Sequence, residues 1–228
     1  MIKVLNLYAG IGGNRKLWTD VDVTAIEYNE EIANIYKKSY PQDNIIVTDA
    51  HQYLLDHYKE YDFIWSSPPC PSHSRTNVFL NAQGVIRYPD MNLYQEIILL
   101  KQFFKGLFVI ENVIPYYEPL IKPTILLERH FFWSNFTITQ IKLPVKDFNT
   151  LNARKETRQD SKEYKQSLEN WLGIKMDFKI YTGKNNEPLT VLRNCVHPEL
   201  GNHILNCALL KSDSSKIYQG TLFENIND

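Results

Sequence analysis

The chain has 228 residues, 43% of them hydrophobic, with 25 Lys+Arg against 26 Asp+Glu. That length suits one α/β domain with a modest insertion, and near-neutral charge by itself neither points to a polyanion partner nor excludes one. Three cysteines, Cys70, Cys195 and Cys207, exclude a disulfide scaffold and fit no zinc spacing, and no apolar run reaches the roughly 20 residues of a membrane span. Met1-Ile2-Lys3-Val4-Leu5 runs straight into a strand with no signal-peptide pattern. A soluble, cytoplasmic monomer is therefore expected, without a metal and without a membrane partner.

Residues 3–8 predict a strand that ends in Ala9-Gly10-Ile11-Gly12-Gly13, with a helical segment over 14–18. A second strand is expected over 23–28. The helix over 29–40 has Asn29 as N-cap, Glu30 and Glu31 in its first turn, Lys37 and Lys38 in its last, and Pro41 beyond. A strand over 44–49, a short helix over 52–58, a strand over 61–66, a helix over 93–104 and a strand over 105–113 follow. This alternation predicts parallel βαβ units and a doubly wound α/β sheet. The rhythm then breaks. His130-Phe131-Phe132-Trp133 is β-like, and 136–145 is its expected antiparallel partner. From 146 to about 188 the chain is polar, with Arg154-Lys155-Glu156-Thr157-Arg158 and one apolar patch, Trp171-Leu172-Gly173-Ile174. It reads as an inserted subdomain or an elaborated loop. A helix over 201–210 and a frayed tail after Lys211 complete the chain.

Two constellations carry chemistry. In the first, a strand followed by Tyr8-Ala9-Gly10-Ile11-Gly12-Gly13 lets backbone approach a ligand closely, with a glycine spacing unlike the dinucleotide fingerprint. Glu27, one strand later, stands where an acid takes ribose hydroxyls, and Asp49 ends the third strand. A helix cap is the alternative for either acid; together, behind that loop, they point to an adenosine-bearing cofactor. In the second, Ser66-Ser67-Pro68-Pro69-Cys70-Pro71-Ser72-His73-Ser74 follows the apolar run 61–65. The diproline prevents relaxation into a helix and holds Cys70 at a strand tip. Pro-Pro-Cys alone fits a nucleophile and a small buried hydrophobe equally. Glu111, ending the apolar strand Phe108-Val109-Ile110, should face the same crevice. Buried there it must be paired or protonated, a state suited to proton donation; an ion pair with Lys105 or Arg129 is the simpler alternative.

In order, these residues resemble the cytosine-C5 DNA methyltransferases, over about 3–136 and 190–210. Asn6-Leu7-Tyr8-Ala9-Gly10-Ile11-Gly12-Gly13 is similar to the family's S-adenosyl-L-methionine loop, Pro69-Cys70 to its nucleophile motif, Glu111-Asn112-Val113 to its second catalytic motif and Gly201-Asn202 to its last. The resemblance implies a Rossmann-like methyltransferase sheet with a small inserted recognition region, in a phage- or restriction-modification-like member. It implies donor contacts from Tyr8, Ala9, Gly10, Ile11, Gly12, Gly13, Glu27, Tyr28, Asp49, Ala50, Pro69, Leu93 and Asn202. It also implies catalysis by Cys70, Glu111 and Arg129, and contacts to double-stranded DNA from Ser72, Ser74, Arg75, Arg87 and Asn112. Arg75 and Arg87 are equally readable as ordinary surface charge. The chain departs from the family in having Asn6 for Asp, Pro71 for Gln, and Leu127-Glu128-Arg129-His130 for Gln-x-Arg-x-Arg.

The implied organisation is a catalytic domain over 1–138, target recognition over 139–189, a return to the catalytic domain over 190–212 and a flexible tail over 213–228. The implied reaction methylates C5 of a flipped-out cytosine, with 72–89 closing over the base. Cys70 needs either a lowered pKa or deprotonation during attack, since a free thiol is only a few per cent thiolate at pH 7. An amino-methyltransferase would place an aromatic residue where Cys70 stands. An RNA cytosine-5 methyltransferase and a non-catalytic nucleic-acid-binding homologue remain as alternatives.

Overall fold

The computed structural model describes residues 1–144, 158–176 and 188–221. Strand β1 (Ile2–Leu7) alternates its buried side chains, sending Val4 into the core on one face and Leu5 and Leu7 into the core on the other. Strands buried on both faces belong to sheets covered by helices on both sides. With β2 (Val21–Glu27), β3 (Asn44–Val47), β4 (Phe63–Ser66), β5 (Leu107–Val113), β6 (Ile125–Leu127) and β7 (His130–Ser134), β1 forms a seven-stranded sheet of order β3-β2-β1-β4-β5-β7-β6. The first five positions in that order are parallel; β7 runs antiparallel to β5, and β6 to β7. Strand order reverses between β1 and β4, so a crevice opens beyond their carboxyl ends.

Helices α1 (Glu30–Ser39) and α7 (Pro198–Thr221) cover one face, through Tyr36 and through Leu200, Ile204, Leu205 and Ala208. Helices α2 (Ala50–His57) and α4 (Asn92–Phe103) cover the other, through Leu54 and through Leu93, Ile97 and Leu100. The start of α1 is set as expected: the Asn29 side chain accepts from the Ile32 amide at 3.0 Å, and Glu30 and Glu31 face the helix's positive end.

Residues 14–18 form turns rather than the expected helix. The segment is too short to nucleate one, and its side chains are committed elsewhere. Arg15 is buried and makes paired bonds to both Asp43 carboxylate oxygens, at 2.8 and 3.0 Å, and a third to the Trp18 carbonyl. Asn14 pairs with Asn6, which explains a neutral amide where the related motif carries an acid: a charge there would be buried without a cation.

The antiparallel neighbour of β7 also differs from expectation. β7 lies between β5 and β6, both of which precede it, while 136–144 forms no strand and Val145 lies outside the described residues. Asn135 turns the chain by bonding the Phe108 amide and the Gly106 carbonyl, after which Phe136 and Ile138 bury alternate side chains without a ladder partner. The polar stretch after 146 contains α5 (Arg158–Leu172), followed by α6 (Pro188–Asn194); the basic residues at 154–157 lie outside the described residues. Leu168, Leu172, Val191 and Leu192 pack on Ile11 of the glycine loop and on Ile32 and Ile35 of α1, a core shared with the sheet domain. Helix α7 begins at Pro198, a residue suited to a first helical position, and continues to Thr221 past the expected end at 210. Residues 222–228 of the expected tail lie outside the described residues.

Short α3 (Asn77–Ala82) lies within the segment expected to be a loop. Among the described residues, no helix is long and apolar enough to cross a membrane.

Candidate active site

The glycine loop leaves β1 through Tyr8 and Gly10, at φ 55° and 56°, and turns again at Gly12, φ 79°. Gly12 is required twice over, since a Cβ there would also strike the Tyr36 and Tyr40 rings. At Gly10 the position a Cβ would take is open, with nothing within 4 Å. The Gly10 amide donates to Glu27 Oε2 at 3.0 Å, and the Asn29 amide to Oε1 at 2.9 Å. Burial pushes the Glu27 carboxyl up, and these backbone amides pull it back. Tyr28 beside it is 78% exposed, a free aromatic face at the lip of the crevice.

Asp49 is the N-cap of α2, one oxygen accepting from the Gln52 amide at 2.8 Å. The capping alternative is thus present in the structure, and the second Asp49 oxygen has no hydrogen-bond partner among the described residues. Ala9 and Ile11 turn their side chains into the core, so only their backbone faces a ligand. Ala50 and Leu93 are buried in the core under the crevice, whereas Pro69 is exposed. Asn202 follows Gly201, which packs directly on Asn14 beside Gly13; a Cβ at 201 would collide with the Asn14 backbone. Open backbone at Gly10, an acid at the β2 tip and an exposed ring fit an adenosine-bearing methyl donor.

The nucleophile segment is built on β4. Buried Pro68 accepts from Asn112 Nδ2 at 3.0 Å, which ties the diproline to the end of β5. The Cys70 carbonyl accepts from the amides of His73 and Ser74, both at 3.0 Å, closing a tight turn. Cys70 itself is half-buried. Burial pushes its thiol up, the Glu111 carboxylate adds to this, and a backbone hydrogen bond and Arg129 act against it. The lowered pKa entertained for this thiol is therefore not found, and deprotonation during attack remains. Glu111 and Arg129 are nonetheless each brought within electrostatic reach of Cys70. Glu111 is buried, and its partner is His130 at 3.5 Å rather than Lys105 or Arg129. Arg129 is exposed and donates to the Arg193 carbonyl at the end of α6.

Residues 72–89 fold back onto this turn. Asn77 and Arg87 both donate to the Pro71 carbonyl, and Ser72 Oγ accepts from the Asp90 amide. Arg75 and Arg87 are exposed, Ser72 and Ser74 half-buried. Asn112, expected at the nucleic acid, is buried and spent on Pro68. Sequence reasoning passed over the exposed apolar side chains here, Val78, Phe79, Val85, Ile86 and Tyr88. It also missed Glu96, whose signal was a lone carboxylate on the otherwise apolar stripe of Leu93, Ile97 and Leu100.

The fold is that of S-adenosylmethionine-dependent methyltransferases. The *Entamoeba histolytica* methyltransferase EhMeth superposes with a TM-score of 0.57 at 11% identity, covering 92% of this chain and 98% of that one. The *S. pombe* Dnmt2 methyltransferase gives 0.56 at 12%, with the same coverage of both chains. Residues 2–115, half of the chain, match the family described as C-5 cytosine-specific DNA methylase, and the chain belongs to that family, whose methyl donor is S-adenosyl-L-methionine. A curated relative, the tRNA (cytosine(38)-C(5))-methyltransferase of *Spodoptera frugiperda*, is 30% identical over 86 residues, 35% of this chain and 26% of that protein. The match thus spans about a quarter of that relative's length.

Proposed function

We propose that the chain methylates C5 of a cytosine extruded from double-stranded DNA. The electrostatic contact of Cys70 with Glu111 and Arg129, on a segment that leaves β4 between β5 and the strand leading into the glycine loop, is the observation that supports this reading. Tyr8, Gly10, Gly12, Gly13, Glu27, Tyr28, Asp49 and Asn202 hold the donor, which when bound supplies an electrophilic methyl group.

Cys70 Sγ passes its proton to solvent as it bonds to C6 of the ring, and the displaced electrons flow towards C5 and N3. Glu111 hydrogen-bonds N3 and the exocyclic amine and gives N3 a proton as charge builds there. C5 is then nucleophilic enough to be methylated. A solvent base takes the C5 proton, the electrons of that bond restore the C5–C6 double bond, the Sγ–C6 pair returns to sulfur as thiolate, and N3 returns its proton to Glu111. Arg129 offsets the negative charge in the same crevice. The C5 and C6 atoms are inaccessible inside a duplex, so the base must be extruded, and the segment 72–89, with Ser72, Ser74, Arg75 and Arg87, closes over it. Target recognition falls to 139–189.

The similarity to a tRNA methyltransferase of Spodoptera frugiperda favours a second reading, a cytosine in RNA. Methyl transfer measured with duplex DNA and tRNA in competition separates the two. Labelled methyl groups entering duplex DNA, with tRNA a poor competitor, support the proposal; labelling of tRNA alone overturns it in favour of RNA.

A further inference from the structure

Glu96 of α4 is fully buried, a placement that a carboxylate tolerates only with partners on its oxygens. Three side chains from three other segments supply them. Tyr8 donates its hydroxyl to Oε1 at 2.7 Å, Ser66 donates to Oε2 at 2.6 Å, and His51 Nδ1 lies 3.0 Å from Oε1. Hydrogen bonding to Glu96 holds the His51 imidazole above its ordinary pKa against the opposing effect of burial. The second His51 ring nitrogen is taken by Gln95, so His51 spends both nitrogens on α4.

The origin of each partner gives this cluster its meaning. Tyr8 opens the glycine loop, and at φ 55° it occupies a left-handed conformation that an aromatic residue keeps only when its surroundings hold it there. Ser66 ends β4 and leads into the diproline and Cys70. His51 follows Asp49 and Ala50 in the first turn of α2. Leu7 and Ser66 are register partners across the β1–β4 pair, so Tyr8 and Ser66 leave the sheet side by side where the strand order reverses.

We propose that Glu96 is a positioning residue shared by the methyl-donor pocket and the nucleophile segment, fixing Tyr8 on one side and Ser66 on the other with His51 as its third hydrogen-bond partner. The inference rests on the donor-pocket reading above. Glu96 touches neither donor nor base. It sets the glycine loop through the Tyr8 hydroxyl and the approach to Cys70 through the Ser66 hydroxyl, so its two oxygens serve two different steps.

Binding of S-adenosylhomocysteine to the full chain by calorimetry, alongside the rate at which Cys70 is trapped by duplex DNA containing 5-fluorocytosine at saturating donor, tests this. Wild type must bind the thioether; if it does not, the donor-pocket reading falls and the inference with it. Given that binding, Tyr8→Phe, which removes one hydroxyl and keeps the ring, should raise Kd about tenfold, the worth of one hydrogen bond to a charged group, and change Kd by a larger factor than it changes trapping. Ser66→Ala should do the reverse, slowing trapping with Kd near wild type. Glu96→Gln should impair both. Wild-type affinity in Tyr8→Phe overturns the inference while leaving the pocket reading standing, as does an equal loss of both properties in Tyr8→Phe and Ser66→Ala. The two hydroxyl deletions keep the test valid should Glu96→Gln fail to fold.

Discussion

The Cys70 thiol is held above the ordinary cysteine pKa, through burial first and the Glu111 carboxylate second. The sign of each neighbour follows from its charge. Alkylation of Cys70 by iodoacetamide, followed by mass spectrometry across pH, should give a midpoint above that of free cysteine in the wild type. Glu111→Gln removes a negative neighbour and should move the midpoint down; Arg129→Gln removes a positive one and should move it up. A wild-type midpoint below that of free cysteine would contradict the burial seen here. Because the folded thiol titrates above the unfolded one, its share of stability is complete below the unfolded pKa and is lost as pH rises through the folded one.

The segment between β1 and β2 owes its shape to one buried ion pair. Arg15 and Asp43 join the turn after the glycine loop to the residue before β3, and the Tyr36 hydroxyl donates to the same carboxylate at 2.7 Å. The Tyr40 hydroxyl in turn donates to the Gly12 carbonyl, so the pair braces the donor-side loop through α1. Asp43→Ala leaves a buried guanidinium without its anion and should cost about 3–5 kcal/mol, measured by urea unfolding. A loss below about 1 kcal/mol, the range of an exposed pair, would mean that solvent reaches Arg15.

Over the whole molecule, the parts legible in the sequence were those with local physical signatures. Asn29 capping α1, the apolar strands ending in Glu27 and Glu111, and the diproline before Cys70 each act within a few residues of chain. What escaped depends on contacts distant in sequence. The stripe of Tyr164, Leu168, Trp171 and Leu172 has helical spacing, but polar residues dilute it, and its burial partners Ile11 and Ile32 lie more than a hundred residues away. Ile11 belongs to the donor loop by resemblance, and its side chain packs against α5 and α6. Asn112 sits in a catalytic motif, yet its amide is spent on Pro68. Glu96 looked like an ordinary helix carboxylate because Tyr8, His51 and Ser66 meet it only once the sheet has formed.

The most direct test of the account is a covalent trap. Duplex DNA carrying 5-fluorocytosine, incubated with the full chain and S-adenosyl-L-methionine, should yield a stable adduct, since fluorine cannot leave C5 as a proton does. Peptide mass spectrometry should find that adduct on Cys70, and Cys70→Ala should abolish it while still binding S-adenosylhomocysteine. An adduct on Cys195 or Cys207, or methyl transfer that survives Cys70→Ala, would contradict the account.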